Sequence, residues 1–169
     1  YTSRDAGATW EPVKEGLPEG TLGRIALSAS PVAPYYLYAL VESDKSALYR
    51  SSDAGGSWEI QSKQLAMGER PFYFSNIVAD PVDSNRAYKP GFITLASTDA
   101  GATFSSITVE GGSYHPDHHA LWINPIDNRL MYVGTDGGVY VTVDRGNTWR
   151  HIQNLPVAQF YEVSYDMNT

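Results

Sequence analysis

The stretch Ser51-Ser52-Asp53-Ala54-Gly55-Gly56-Ser57-Trp58 occurs, with small changes, four times along the 169-residue chain. Every copy follows the pattern Ser/Thr-x-Asp-x-Gly-x-Ser/Thr-aromatic, and successive aspartates are 48, 46 and 45 residues apart. The aspartates are Asp5, Asp53, Asp99 and Asp144, and the closing aromatic residues are Trp10, Trp58, Phe104 and Trp149. Such a constant period indicates a repeat protein built from one supersecondary unit.

The residues between the copies indicate what that unit is. Short apolar runs rich in Tyr, Val, Ile and Leu are separated by Gly, Pro, Asn and Asp, and each unit contains four of them. Runs of this kind predict antiparallel strands. Four strands in a unit of about 45 residues predict an all-β fold, a β-propeller arc of four-stranded blades.

The octapeptide suits a hairpin turn between the third and fourth strands of a blade. Its Asp carboxylate can accept hydrogen bonds from nearby backbone N–H groups, and its Gly can adopt a positive φ without steric cost. The closing aromatic side chain is large enough to fill the space between two sheets. We therefore interpret the four aspartates as structural turn-formers.

This octapeptide resembles the Asp-box, or BNR repeat, of a propeller superfamily that includes sialidases, xyloglucanase-type glycoside hydrolases and the sortilin-type receptor domain. The resemblance covers nearly the whole chain and is closest to bacterial secreted proteins of the sortilin-like or glycosyl-hydrolase-like kind. Residues 70–75, 115–122 and 154–161 also carry it. It implies a carbohydrate or a protein or peptide ligand, and an extracellular or periplasmic location.

The repeat divides the single domain, residues 1–169, into parts. Residues 1–14 form the end of one blade; residues 22–62, 70–108 and 115–153 form full blades; residues 158–165 form the first strand of the next. A closed propeller needs four to eight blades. We therefore expect a larger ring, completed by remaining blades of the same protein or by another copy of the chain.

The composition excludes several classes of partner. The chain has 12 Lys and Arg against 19 Asp and Glu, a net charge of -7, which argues against nucleic acid and against anionic membranes. No stretch approaches the ~18 apolar residues of a membrane span. Without cysteine there are no disulfides and no thiolate metal sites. We predict no cofactor and no bound metal.

Two long connections between blades carry the unusual residues. The first contains Arg70 and Tyr73, with Phe72 and Phe74 on either side of the tyrosine; an arginine suits a carboxylate, and the aromatic rings suit a sugar or peptide ring. Alternatively, Arg70 pairs with a neighbouring Asp and the aromatic residues seal adjacent blades. The candidate ligand-binding residues of the second are Tyr114, His115, His118 and Trp122. In an extended segment His115, Asp117 and His119 would share one face, where they could hold a divalent metal, perform acid–base chemistry or simply stabilise a loop.

Two aspartates are candidate catalytic groups. Asp136, in Gly134-Thr135-Asp136-Gly137-Gly138-Val139-Tyr140, resembles the segment that carries a catalytic aspartate in xyloglucanase-type enzymes, with one residue fewer before the glycines. The same residues predict a tight Asp-Gly hairpin. Glycoside hydrolysis normally requires two carboxyl groups, and Asp117 is the second candidate. The alternatives are a non-catalytic, sortilin-like binding module and a structural arc of a larger assembly.

Overall fold

The computed structural model describes residues 1–13, 15–107 and 114–156. Within these ranges the strands form three four-stranded antiparallel sheets, each with its strands in chain order. Sheet I contains β1 (Ile25–Ser30), β2 (Ala33–Val41), β3 (Ala47–Ser51) and β4 (Glu59–Ser62). Sheet II contains β5 (Val78–Ala79), β6 (Ala87–Lys89), β7 (Leu95–Ser97) and β8 (Ser105–Ser106). Sheet III contains β9 (His118–Ile123), β10 (Met131–Thr135), β11 (Gly138–Thr142) and β12 (Arg150–His151).

Helical structure in the described residues is confined to the connection between sheets I and II. A 3-10 helix spans Leu65–Gly68, and the single turn α1 spans Pro71–Phe74. Pro71 stands at the first helical position, where a missing N–H costs nothing. None of these helical turns is long and apolar enough to cross a membrane. The prediction of an all-β propeller arc is confirmed.

The sheets pack face to face, and this explains why their strands are apolar on both sides. Alternate side chains of a strand point to opposite faces. In β2, Tyr38 and Leu40 pack against sheet II, whereas Ala39 and Val41 pack towards the segment before sheet I. The apolar contact between sheets II and III is formed by Tyr88, Ala96, Ile123 and Met131.

The first strands of sheets I and II lie side by side at the inner edge of the stack. The backbone N–H of Ala79 in β5 donates a hydrogen bond to Ser28 Oγ of β1 at 2.9 Å. The fourth strands, β4 and β8, each pair only with the third strand of their own sheet. The sheets are therefore arranged as successive blades, with each first strand innermost.

Each Asp-box is a turn closed by its own side chains. In the second copy, Asp53 accepts hydrogen bonds from the Ser57 backbone N–H at 2.9 Å, the Ser51 hydroxyl at 2.7 Å and the Ser57 hydroxyl at 2.8 Å. These bonds lower the pKa of Asp53 to about 2. The other three copies repeat the pattern, with Asp5, Asp99 and Asp144 as acceptors.

The backbone of the box departs from the sequence expectation in one respect. The Gly was expected to adopt a positive φ, and it does, at +89° for Gly55. The residue before it is also left-handed: φ is 57° to 61° at Ala6, Ala54, Ala100 and Arg145. Two consecutive left-handed residues direct several N–H groups towards the preceding hydroxyl, and the Gly55 N–H donates to Ser51 Oγ at 2.8 Å.

The closing aromatic residues fill the space beside the sheets. Trp58 and Phe104 are each only 8% exposed, and Trp149 packs against the core between sheets II and III. Trp10 is different, with 60% of its surface exposed. It belongs to the segment before sheet I, in which Thr2 and Glu11 form an isolated bridge.

Large apolar side chains are exposed on both outer faces of the described stack. On sheet I, Leu27 is 69% exposed and lines a cavity of about 310 Å³ together with Val13, Leu22 and Trp58. On sheet III, Trp122 is 51% exposed. Faces of this kind are covered by neighbouring blades in a propeller. The predicted strand at residues 158–165 lies outside the described residues.

Candidate active site

The candidate residues lie at one end of the sheets, which we call the connection face. It consists of the connections at residues 63–77 and 114–117 and of the turns at residues 90–94 and 135–138. The Asp-box turns lie at the opposite end, because strands alternate in direction within each sheet. Residues from separate connections and turns are therefore brought together here.

Asp136 and His119 form the central contact of this face. His119 Nε2 lies 3.0 Å from Asp136 Oδ1, and 41% and 38% of the two side chains are exposed. Asp136 occupies the two-residue turn between β10 and β11, where Thr135 pairs with Gly138. The predicted Asp-Gly hairpin is therefore present, and it holds the carboxylate where solvent or a ligand can reach it.

A bulge in β9 explains why His119 reaches Asp136. The register between β9 and β10 shifts between Gly134, which pairs with Ala120, and Thr135, which pairs with His118. His119 is the extra residue, so simple alternation along the strand does not predict its direction. The sequence expectation of His115, Asp117 and His119 on one face assumed that alternation. Instead, the structure brings His119 to Asp136.

His115 lies over the same hairpin. Its ring covers Gly137 so closely that a Cβ atom there would lie 2.4 Å from the His115 Cγ atom. The His115 backbone N–H donates to the Tyr140 hydroxyl oxygen at 3.2 Å. The His115 ring nitrogen Nδ1 lies 2.8 Å from the Pro116 carbonyl oxygen. Gly137 is therefore required for space, and two imidazoles flank the Asp136 turn.

The connection between sheets I and II adds an aromatic surface. Phe72 and Tyr73 are 63% and 59% exposed, with ring centroids 4.2 Å apart. Phe74 is buried and stacks on the His119 ring at 5.5 Å. Phe74 thus joins the two long connections and places the exposed pair beside the histidine.

Two arginines near this connection have different positions. Arg24, just before β1, donates from Nη1 to the Phe72 carbonyl oxygen at 2.8 Å and so anchors α1 to sheet I. Arg70, the predicted ligand-binding arginine, precedes α1 with a left-handed φ of 40°, and its side chain is exposed. Arg70 is therefore accessible on the same segment as Tyr73.

Asp117 attaches its connection to sheet II. It has a left-handed φ of 64°, and its backbone N–H donates to the Phe92 carbonyl oxygen at 3.0 Å. The His118 N–H donates to the Gly91 carbonyl oxygen at 2.7 Å. The backbone of the connection is thus fixed to the neighbouring turn. The residue that contacts Asp136 is His119 rather than Asp117.

His118 is buried and has no nitrogen left for a ligand. Its Nε2 lies 3.1 Å from the His115 carbonyl oxygen, so that nitrogen carries the proton. Its Nδ1, 2.7 Å from Thr94 Oγ1, therefore accepts the threonine hydroxyl. Burial lowers the pKa of His118 to about 4, against the opposing effect of the His115 carbonyl. The structure places this predicted ligand-binding residue in a structural role.

The pH dependence of stability should report this buried imidazole. Because the folded pKa is below the unfolded value of about 6.5, the unfolded chain binds more protons in this range. The contribution of His118 to the free energy of unfolding is therefore fully present above pH 6.5 and is lost as the pH falls towards 4. Urea unfolding between pH 7 and pH 4.5 should show this slope, and His118→Asn should reduce it. An unchanged slope in the variant would contradict the assignment.

Tyr114 and Trp122 pack against other aromatic rings rather than against Asp136. The Tyr114 ring is half-buried and packs edge-on against His118 and Tyr140, with centroids 4.6 and 4.7 Å away, and burial raises the pKa of its hydroxyl. Trp122 lies on the outer face of sheet III, 5.7 Å from the Tyr132 ring. In the described ranges no group of three or more His, Asp or Glu side chains is placed to hold a metal ion.

Comparisons with known proteins add to this geometry. No protein-family model matches the chain. Xyloglucanase Xgh74A of Acetivibrio thermocellus is 30% identical over 155 residues, which cover 75% of the chain and 18% of that enzyme. The vacuolar protein sorting/targeting protein 10 of Aspergillus flavus is 37% identical over 76 residues, covering 42% of the chain and 5% of that protein.

A solved structure gives the same architecture. The GH74 enzyme of Niastella koreensis superposes with a TM-score of 0.58 at 22% sequence identity, covering 77% of the chain and 22% of that enzyme. The chain belongs to the Asp-box β-propellers. This Asp-box propeller chain is related to the xyloglucanases and to the sortilin-like proteins, as its octapeptide predicted. It spans 18% of the length of the Acetivibrio xyloglucanase.

Proposed function

We propose that the chain forms part of a carbohydrate-active propeller that binds and hydrolyses a polysaccharide, with Asp136 as one of the two reacting carboxyl groups. The observation that supports this most directly is the contact between His119 and Asp136 at 3.0 Å, beside the exposed Phe72 and Tyr73 rings. The xyloglucanase relative makes xyloglucan the first substrate to test. A polymer of this kind lies outside the cell, so we place the protein in the extracellular or periplasmic space.

The proposed chemistry assigns each group a task. Hydrolysis needs one carboxyl group to protonate the leaving oxygen and a second to activate water or attack the sugar. The imidazole of His119 fixes the orientation of Asp136, and the Asp-Gly turn keeps the carboxylate at the surface. Asp117, or a carboxyl group in another part of the propeller, supplies the second function. Phe72 and Tyr73 offer apolar rings on which a sugar can stack.

Replacement of Asp136 by asparagine tests the proposal. Asparagine keeps the shape of the side chain but can neither give nor take a proton, so release of reducing sugar from xyloglucan should fall about a hundredfold. Asp44→Asn is the matched control, because Asp44 is an exposed aspartate in the corresponding turn of sheet I. The assay should use the intact protein. Equal loss in the two variants, or no loss in either, would contradict the proposal.

A second candidate function is recognition of a peptide or protein without catalysis. The 76-residue match to the vacuolar protein sorting/targeting protein 10 and the exposed Phe72–Tyr73 pair favour it. An intact protein that releases no sugar from xyloglucan or related polysaccharides, yet binds peptides through Tyr73, would support this reading over hydrolysis.

A further inference from the structure

A lysine occupies a position that is apolar in the other two sheets. A proline stands in the turn after the first strand of each sheet. The residue two positions before this proline pairs with a residue of the second strand, which is Leu37 in sheet I, Ala87 in sheet II and Met131 in sheet III. Two residues further along the second strand stand Ala39, Lys89 and Val133. All three are buried, and Lys89 is only 1% exposed. Lys89 therefore places an ammonium group where the fold otherwise has a methyl or isopropyl group.

The surroundings of Lys89 do not favour its charge. Burial lowers the pKa of the Lys89 amine, and the negative charge of Glu69 opposes this effect. A buried charge is costly unless an opposite charge or hydrogen bonds compensate it. For stability alone, an apolar residue of similar length would suit this position better than lysine.

Glu69 approaches Lys89 from the connection between sheets I and II. A Cβ atom at Gly91 would lie 3.1 Å from Lys89 Nζ and 3.9 Å from Glu69 Oε2. The Lys89 ammonium therefore borders the space that a side chain at residue 91 would occupy, and the Glu69 carboxylate lies just beyond it. Gly91 has no left-handed φ, so its backbone does not require glycine. Glycine at this position avoids a close contact with the Lys89 ammonium.

Glu69 stands immediately before the segment that carries the exposed aromatic rings. It lies between the 3-10 helix and Arg70, and α1 follows with Phe72, Tyr73 and Phe74. Other contacts hold this connection at its two sides: Met67 is buried in the core, and the Phe72 carbonyl oxygen accepts a hydrogen bond from Arg24. Glu69 lies in the chain between these two contacts.

We propose that Lys89 and Glu69 form an electrostatic strut that fixes the connection at residues 65–74 and thereby positions the Phe72–Tyr73 pair for a saccharide ligand. This inference rests on the proposed function. Lys89 is a positioning residue: it contacts no substrate and acts through Glu69. If Lys89 serves ligand binding at the expense of stability, replacing it with an apolar residue should weaken binding. The same replacement should leave the protein as stable as before or make it more stable.

The test compares ligand binding with thermal stability in the intact protein. Xyloglucan oligosaccharides serve as the probe, with Kd measured by calorimetry and Tm by scanning calorimetry. Lys89→Met, which keeps length and removes charge, should weaken binding about tenfold, because the ligand must then order the released connection. Its Tm should equal or exceed that of the wild type. Lys63→Met is the matched control, since Lys63 is exposed on the same connection, and both quantities should be unchanged.

Glu69→Gln provides a second variant whose folding is less at risk, because Glu69 is exposed. It should weaken binding to the same degree as Lys89→Met, and the double variant should be no weaker than either single one. Lys89→Met with wild-type affinity would overturn the strut. So would a lowered Tm with unchanged affinity, which would mark Lys89 as an ordinary packing residue.

A readout that needs no ligand separates the strut from the proposed function. The Tyr73 and Phe74 N–H groups donate to the Arg70 carbonyl oxygen, at 2.9 and 3.0 Å. If the strut holds this turn, Lys89→Met should speed amide hydrogen exchange at these two groups about tenfold, whether or not xyloglucan binds. Unchanged exchange would overturn the strut. Faster exchange in a protein that neither binds nor hydrolyses xyloglucan would contradict the proposed function alone.

Discussion

Replacement of Gly101 by alanine should lower the free energy of unfolding by about 3 kcal/mol, from about 1 kcal/mol of left-handed strain and about 2 kcal/mol of overpacking. Gly101 belongs to the third Asp-box and has a φ of +90°. A Cβ atom there would lie 2.8 Å from Leu48 Cδ2 and 3.4 Å from Tyr38 Cε1. Both side chains are fully buried between sheets I and II, so neither can move aside.

Gly55 of the second box is the matched control. Its φ is +89°, but its Cβ would meet Leu37 Cδ1 at 3.3 Å and Trp58 Cζ2 at an ordinary 3.8 Å, beside the open cavity on the outer face of sheet I. Gly55→Ala should therefore cost only the backbone strain, about 1 kcal/mol. Urea unfolding of both variants gives the comparison. Equal losses would show that the Asp-box turn does not touch the contact between the two sheets.

Replacement of Asn128 by leucine should also cost about 3 kcal/mol, because it removes hydrogen bonds from a buried charge. Asp80, at the turn after β5, is completely buried. Asn128 Nδ2 in sheet III donates to both of its carboxylate oxygens, at 3.0 and 2.9 Å. The Asn128 carbonyl oxygen accepts in turn from Arg145 Nε at 2.8 Å. The amide thus connects a buried carboxylate of one sheet to a guanidinium of the next.

The control for this variant is Asn85→Leu, an exposed asparagine in the same turn as Asp80. We expect it to change the free energy of unfolding by less than about 0.5 kcal/mol. A further variant, Asp80→Asn, removes the charge that needs compensation, and Asn128→Leu should then cost less in that background. An Asn128→Leu loss no larger than that of Asn85→Leu would show that the Val82 and Asp83 backbone N–H groups and the Tyr88 hydroxyl satisfy Asp80 without Asn128.

The fold could be predicted because its signal is local. The hydrogen bonds of the Asp and Ser side chains in an Asp-box form within eight consecutive residues, so the octapeptide favours the same turn at each occurrence. The constant spacing then gives the four-stranded unit. The left-handed residue before each Gly was not predicted, since alanine rarely adopts that conformation outside such a hydrogen-bonded turn.

The site could be predicted only in part, because its contacts depend on register between strands. Asp136 was identified as a candidate from its turn sequence, but its partner His119 depends on the bulge in β9. In the same strand, the sequence gave no sign that His118 is buried or that Trp122 lies on an outer face. Lys89 was not identified at all, because its burial results from packing between sheets rather than from its neighbours in sequence.

The bulge in β9 has a consequence for how this protein can change. It accommodates one surplus residue before Ala120, so the pairing from Ala120 to Ile123 stays in phase with β10. Because the bulge lies at the start of β9, the connection before it can gain or lose residues without a change in the pairing of the rest of the strand. A change in the length of that connection can therefore be absorbed at the bulge, while the sheet beneath it keeps its pairing.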